Sequence, residues 1–445
     1  MGDGVQSRVG DTVRAMRGPG WALADHGIFA AAGFVAHVLL ARHLAIEAYA
    51  GFAMAFSAVV GFGLLTRAML SEPMLIFGGR RYRRRQRAYI GLVVLLQLPV
   101  GLGGAVVMLA VGWVCMLLGY GVVGAALAGG VMLQYSFSLL MLMRRAGYLR
   151  RRPWIGALAG GVYLAATVAG LALLLATARV TLLGGLAVVS AATLAGGLCG
   201  LALVRPGVGF VVQRRRIGCI VRRHVRYGWW ALGASACRYV PREGYVLLLP
   251  MVGTLAEVAG LRAVRNVIAP AMLVSAALSS LLTPRLARLH GQAAFFGTLR
   301  RATVAGALPL GAVWFAMACF PETVLRLAYG DRFAAYGQVL WLAGLIPLAA
   351  LVQTMAGTAL RAMERPDVDW WCTLTAVVVS LPVGLGVTVL EPVGRALVGM
   401  LVYYVVFTFC AMVWLKRIEA RTGETVASRA AVDPDLRSQT RSGPA

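Results

Sequence analysis

The chain has 445 residues, of which 60% are hydrophobic and only 13% charged, with a mean hydropathy of +0.77. A soluble domain carries about 25% charged residues, so composition excludes one and predicts a polytopic membrane protein. The net charge of +26 is almost wholly arginine, Lys416 being the single lysine. These charges cluster between apolar runs, which fits the positive-inside rule and argues against a nucleic-acid partner.

A helix needs about 20 apolar residues to cross the hydrocarbon core. That measure predicts an all-α chain with twelve spans: 21–41, 49–71, 89–111, 122–143, 154–177, 181–204, 229–251, 259–282, 302–320, 337–360, 370–390 and 396–415. The first twenty residues carry Arg8, Arg14 and Arg17 without an apolar core, so no cleaved signal peptide is expected. If the spans alternate, 33 of the 43 Lys and Arg fall on one side and five on the other, which places both termini in the cytoplasm.

The expected organisation is a first six-helix bundle (1–204), a basic linker (205–228), a second six-helix bundle (229–415) and a disordered cytoplasmic tail (416–445). In the linker Ile217, Ile220, Val221 and Val225 alternate with Arg222, Arg223 and Arg226, the pattern of an amphipathic helix on anionic lipid. The two bundles read as a repeat. Trp21-Ala22-Leu23 matches Trp230-Ala231-Leu232, Gly51 matches Gly260, Pro73 matches Pro284, and Arg152-Pro153 matches Arg365-Pro366, at offsets of 209 to 213 residues. Six spans per repeat give both halves the same orientation, with a path between them.

Charges inside spans are expensive and mark pathways. Span 7 carries Arg238 and Arg242 at i, i+4, beside Pro241 and Glu243; span 8 carries Arg262, Arg265 and Asn266 on one face. At 1.5 Å per residue, Arg242 lies roughly 20 Å from the inner end and Arg265 about 9 Å from the outer end, so both sit at one level of a core about 30 Å thick. Arg238, Arg242 and Arg265 are therefore candidates to line a cationic cavity, and guanidinium forks suit phosphate. Arg262 is close enough to the outer end to snorkel, and Glu243 is placed to pair with Arg242. In the first half, Asp25 and Arg67 are expected to pair across spans 1 and 2 as an inner gate, with His26 and Glu72 nearby. His37, in the outer part of span 1, could take up a proton, but a buried, hydrogen-bonded ring is the commoner role for such a residue.

Catalytic signatures are missing from the sequence. The seven cysteines form no CxxC or metal-like spacing and read as small apolar residues. With one lysine there is no P-loop, and there is no HExxH. Asp367-Val368-Asp369 has a DxD form but lies in a very short inside loop. No enzyme, metal or cofactor is expected.

Asp25 early in span 1, Leu40-Ala41-Arg42 at its exit, Tyr49-Ala50-Gly51, Glu72-Pro73 with Phe77-Gly78, Tyr329-Gly330, Leu360-Arg361-Ala362 and Arg365-Pro366 together form a short, degenerate motif set. In these the chain resembles the polysaccharide flippases, the O-antigen and exopolysaccharide exporters of the multidrug/oligosaccharidyl-lipid/polysaccharide (MOP) superfamily. The resemblance implies a V-shaped twelve-helix transporter in the bacterial inner membrane. It would flip undecaprenyl-diphosphate-linked oligosaccharide for surface polysaccharide or lipopolysaccharide biosynthesis, among membrane lipids and beside polymerase or export machinery. By position, Asp25, Arg67, Arg238, Arg242 and Arg265 would be its cavity charges, with Glu243, Glu72 and His37 in gating or coupling. A multidrug/cation antiporter of the same superfamily stays open as the alternative, although organic cations favour a negative cavity. A polymerase or ligase would need a large extracytoplasmic loop, and the lipid II flippase typically has fourteen spans.

Overall fold

The computed structural model describes residues 3–177, 180–207, 214–289, 292, 294–363, 365–386 and 389–432, and every regular element among them is helical. In the first half α1 (Asp3–His43), α2 (Ile46–Thr66), α3 (Glu72–Arg80), α4 (Gln86–Leu117), α5 (Gly121–Leu149), α6 (Trp154–Ala176) and α7 (Leu182–Val204) follow in order, α2 running into α3 through a π-turn at Arg67–Ser71 and the others joined by short connections. The second half holds α8 (Arg214–Tyr239), α9 (Tyr245–Leu248), α10 (Leu255–Arg288), α11 (Ala294–Cys319), α12 (Pro321–Tyr329), α13 (Leu340–Ala362), α14 (Pro366–Gly386) and α15 (Pro392–Val432).

Eleven helices among the described residues are long and apolar enough to cross a membrane. The predicted seventh span is the exception. There α8 gives way to a π-turn at Val240–Gly244, then α9, then a 3-10 turn at Leu249–Met251. Pro241 has no N–H to donate along the helix, and Arg238, Arg242 and Glu243 dilute the apolar run, so a continuous rod is broken into short pieces. The residues from 214 that were assigned to an interfacial linker form the start of α8 itself. Part of the expected tail is also ordered differently: α15 is helical to Val432, and 433–445 lies outside the described residues.

Within the first half α5 packs on α7, α4 and α2, and α6 on α7 and α1; within the second, α14 packs on α15 and α10, α11 and α15 on α13. The halves meet along α1, α2, α8 and α10. The seam can be followed down α2. Ser57 meets Glu243, Gly61 leaves room for the Tyr239 ring, and Ala68 and Met69 lie against Gly228 of α8. Around the outside α4 presents Leu98, Leu102, Val106, Leu109, Trp113 and Leu117, all exposed. An apolar face of that extent has no solvent-compatible role and fits lipid contact.

Candidate functional site

The seam carries its charges at one level. The capping box of Thr254 and Glu257 fixes the start of α10, and two turns on, Arg262 and Arg265 point at the π-turn. Glu243 of that turn accepts three bonds: from Arg262 Nη1 at 2.7 Å, from Ser57 Oγ at 2.8 Å and from Arg265 Nη2 at 3.1 Å. Arg262 Nη2 donates to His37 Nε2 at 2.8 Å. A guanidinium can only donate, so Nε2 is the acceptor and the ring proton sits on Nδ1, which faces the Tyr49 hydroxyl at 3.4 Å. Phe52 and Phe56 close on the imidazole edge-to-face, and the Arg262 guanidinium lies 5.2 Å from the Phe56 ring centre.

This geometry changes several expectations. Arg262 does not snorkel; it is 8% exposed and is the hub of the cluster. Glu243 pairs with Arg262 and Arg265, not with its neighbour Arg242. Arg242 is exposed and makes no ion pair among the described residues. Arg265 Nη1 is buried and has no hydrogen-bond partner among the described residues. The level of Arg242, Arg262 and Arg265 thus has three positive charges against one carboxylate.

Arg238 belongs elsewhere. It is half exposed and lies 3.6 Å from Asp369 of α14, which Arg361 approaches to 4.0 Å. The second aspartate of the DxD sequence is therefore a helix residue between two arginines.

In the first half, Asp25 and Arg67 do not pair. Arg144 Nε donates to Asp25 Oδ1 at 2.7 Å and Tyr148 Oη to Oδ2 at 2.9 Å, with the Arg144 guanidinium over Phe29. Gly156 opposite leaves room for the carboxylate, since a Cβ there would stand 2.9 Å from it. Arg67 bonds to Glu72 at 2.8 Å and is half exposed. Arg144 lies just beyond the predicted span 122–143, but α5 runs on to Leu149 and buries it. Nothing in the sequence singles out Ser57 or Tyr148, and the Tyr49 motif does not point to His37; these are common polar residues whose roles depend on helix rotation.

At the α1–α2 end the halves exchange arginines. Arg42 donates Nε to the Ala328 carbonyl at 2.7 Å and Nη2 to that of Leu327. Arg332 Nη1 donates to the Leu44 carbonyl at 2.7 Å. Each half so caps the carbonyl end of a helix in the other, α12 and α1 respectively. Between them lies an open cavity of about 540 Å³, lined by Arg42, Arg326, Tyr329, Gly330, Asp331 and Arg332.

No protein-family model and no curated protein matches the chain. Solved structures do match in shape. An inward-facing multidrug resistance MATE family transporter of the MOP superfamily superposes with a TM-score of 0.69 at 13% identity, over 91% of this chain and 99% of that one. The lipid II flippase MurJ, in its inward closed conformation, gives 0.64 at 8% identity, over 88% and 86%. A eukaryotic MATE transporter gives 0.61 at 14% identity, over 93% and 99%. The chain therefore has the all-helical fold shared by MATE transporters and MurJ.

Proposed function

We propose that the chain is a membrane transporter of the MOP superfamily that carries an anionic, lipid-linked headgroup across the bilayer by alternating access. The observation that supports this reading is the surplus of guanidinium at the seam: Arg265 Nη1 buried without a partner and Arg242 without a carboxylate. A diphosphate would supply acceptors to both, while its apolar tail stays in lipid. An undecaprenyl-diphosphate-linked oligosaccharide is the substrate class that the sequence resemblance favours, and the MurJ likeness fits a lipid-linked substrate. In this reading the basic loops and both termini face the cytoplasm, the protein sits in the inner membrane, and polymerase or export machinery receives the product.

The Glu243 cluster is then a joint between the halves at the substrate level, and it must part for release. Direction comes from differential affinity between the two states, because equal binding to both shifts nothing. The test is a reconstituted assay. Purified protein in liposomes is given fluorescent undecaprenyl-diphosphate sugar, and cationic dyes in parallel. Translocation of the lipid that falls in Arg242→Gln and Arg265→Gln supports the proposal. Robust dye efflux that leaves the diphosphate lipid untouched would establish the cation antiporter instead, the reading that the MATE likeness keeps in play.

A further inference from the structure

We infer that the cavity at the α1–α2 end is a seat for the phosphate headgroup of an anionic lipid, shared between the two halves of the molecule. The site is separate from the Glu243 cluster, and the inference stands whether or not the transport reading holds.

The space of about 540 Å³ is a wide depression, open to its surroundings, so it would grip a headgroup from one side and leave the rest of the ligand outside. Three arginines, Arg42, Arg326 and Arg332, face one carboxylate, Asp331, which Arg326 Nε approaches to 3.1 Å. Glu322 takes a second nitrogen of Arg326 at 3.5 Å. Each guanidinium keeps donors in reserve. Arg42 uses Nε and Nη2, Arg332 uses Nη1, and Arg326 uses Nε and Nη2; the remaining nitrogens have no partner among the described residues. A guanidinium has five N–H donors in a planar fork, and three forks around one space match the oxygens of a phosphate better than any neutral ligand.

Gly330 makes the convergence. Its φ of +73° reverses the backbone after α12, a turn that favours glycine, and brings Asp331 and Arg332 back towards Arg42. The surroundings then select a lipid over a free anion. Leu327 is 79% exposed and Phe320 61% exposed on and before α12, while Leu325 and Tyr329 of the same short helix are buried. An amphipathic helix with an apolar outer face beside a basic pocket suits a headgroup with its acyl chains attached. Arg42 comes from the first half, and Arg326 and Arg332 from the second, so a bound phosphate adds a bridge across the seam and favours the joined state at this end.

The experiment uses the full chain in two kinds of nanodisc, phosphatidylcholine alone and phosphatidylcholine with phosphatidylglycerol. Native mass spectrometry counts lipid that stays bound on release. The main variant is Arg326→Gln, which leaves all three cross-half carbonyl bonds of Arg42 and Arg332 in place; Arg84→Gln, at the other end, is the control. Wild-type protein and Arg84→Gln are expected to retain phosphatidylglycerol in preference to phosphatidylcholine. Arg326→Gln is expected to lose that preference about tenfold, the size of one charge-assisted hydrogen bond. Retention unchanged in Arg326→Gln, or lost equally in Arg84→Gln, overturns the site. A parallel arm titrates inorganic phosphate into the phosphatidylcholine discs. Thermal stabilisation by phosphate with no retained phosphatidylglycerol would overturn the lipid assignment and make the ligand a soluble anion.

Discussion

Arg262 donates to His37 across 2.8 Å, and this bond joins a helix of the second half to one of the first. The imidazole can take part only while Nε2 carries no proton. His37→Gln keeps an acceptor, whereas His37→Lys places a second cation against Arg262. We expect the first to hold the joint and the second to part it. Spin labels at Glu47→Cys and Glu322→Cys, in a background lacking Cys219 and Cys319, would report this as a longer distance in His37→Lys alone. Equal distances in both variants would show that the joint does not depend on this bond.

Glu243 and Arg242 are neighbours in sequence with opposite expected phenotypes. Removing the carboxylate leaves Arg262 and Arg265 buried and uncompensated, at a cost of about 3–5 kcal/mol. Glu243→Gln should therefore lower the melting temperature sharply. Arg242→Gln should leave it within the scatter of an exposed substitution while reducing transport. A thermal melt of both in the same detergent decides it.

The first half offers the same contrast between buried and exposed pairs. Asp25 is 1% exposed and held by Arg144 and Tyr148, so Asp25→Ala should destabilise by about 3–5 kcal/mol. Arg67 and Glu72 form a partly exposed pair, worth about 0–1 kcal/mol, so Arg67→Gln should melt like wild type. If the two variants are equally stable, Arg144 is not the principal partner of Asp25.

Acid should loosen the packing of α8 on the first half. His224 lies ahead of the apolar part of this rod and bonds Tyr89 Oη at 2.7 Å and the Met69 carbonyl at 2.9 Å. Burial lowers its pKa below the ordinary 6.5, with the Met69 bond opposing. The unfolded chain then takes up the proton more readily than the folded one. Stability is full above about 6.5 and falls as pH drops below it. Melting temperatures between about pH 7.5 and 5 should decline in wild type and decline less in His224→Gln; parallel curves would remove His224 as the cause.

Hydropathy makes the fold readable because span length and spacing are one-dimensional quantities. Eleven of the predicted spans overlap apolar helices long enough to cross a membrane. Partnership is not one-dimensional. Asp25 faces Arg144 of α5 and not Arg67 because helix rotation decides which side chains meet, and no pattern within α1 or α2 encodes the rotation of α5. Residue counting gives the depth of Arg262, which suits snorkelling, but not its azimuth; the structure turns it inward to Glu243 and His37. Arg238 lies on the same predicted face as Arg242, yet Arg238 ends α8 beside Asp369 while Arg242 sits within the π-turn, and the two part company.

That π-turn has a further consequence. It holds one residue more than an ordinary helical turn, so everything beyond Gly244 is out of phase by about 100° with an uninterrupted helix. Tyr245 occupies its place against Gly384 and Gly399, bonded to the Ser380 carbonyl at 2.7 Å, only because of that surplus residue. The fit of α9 is therefore a matter of chain length as much as of side chains. Deleting Val240 alone would spare every polar contact residue and still swing Tyr245 out of its notch, which makes this segment far less tolerant of a one-residue change in length than of most substitutions.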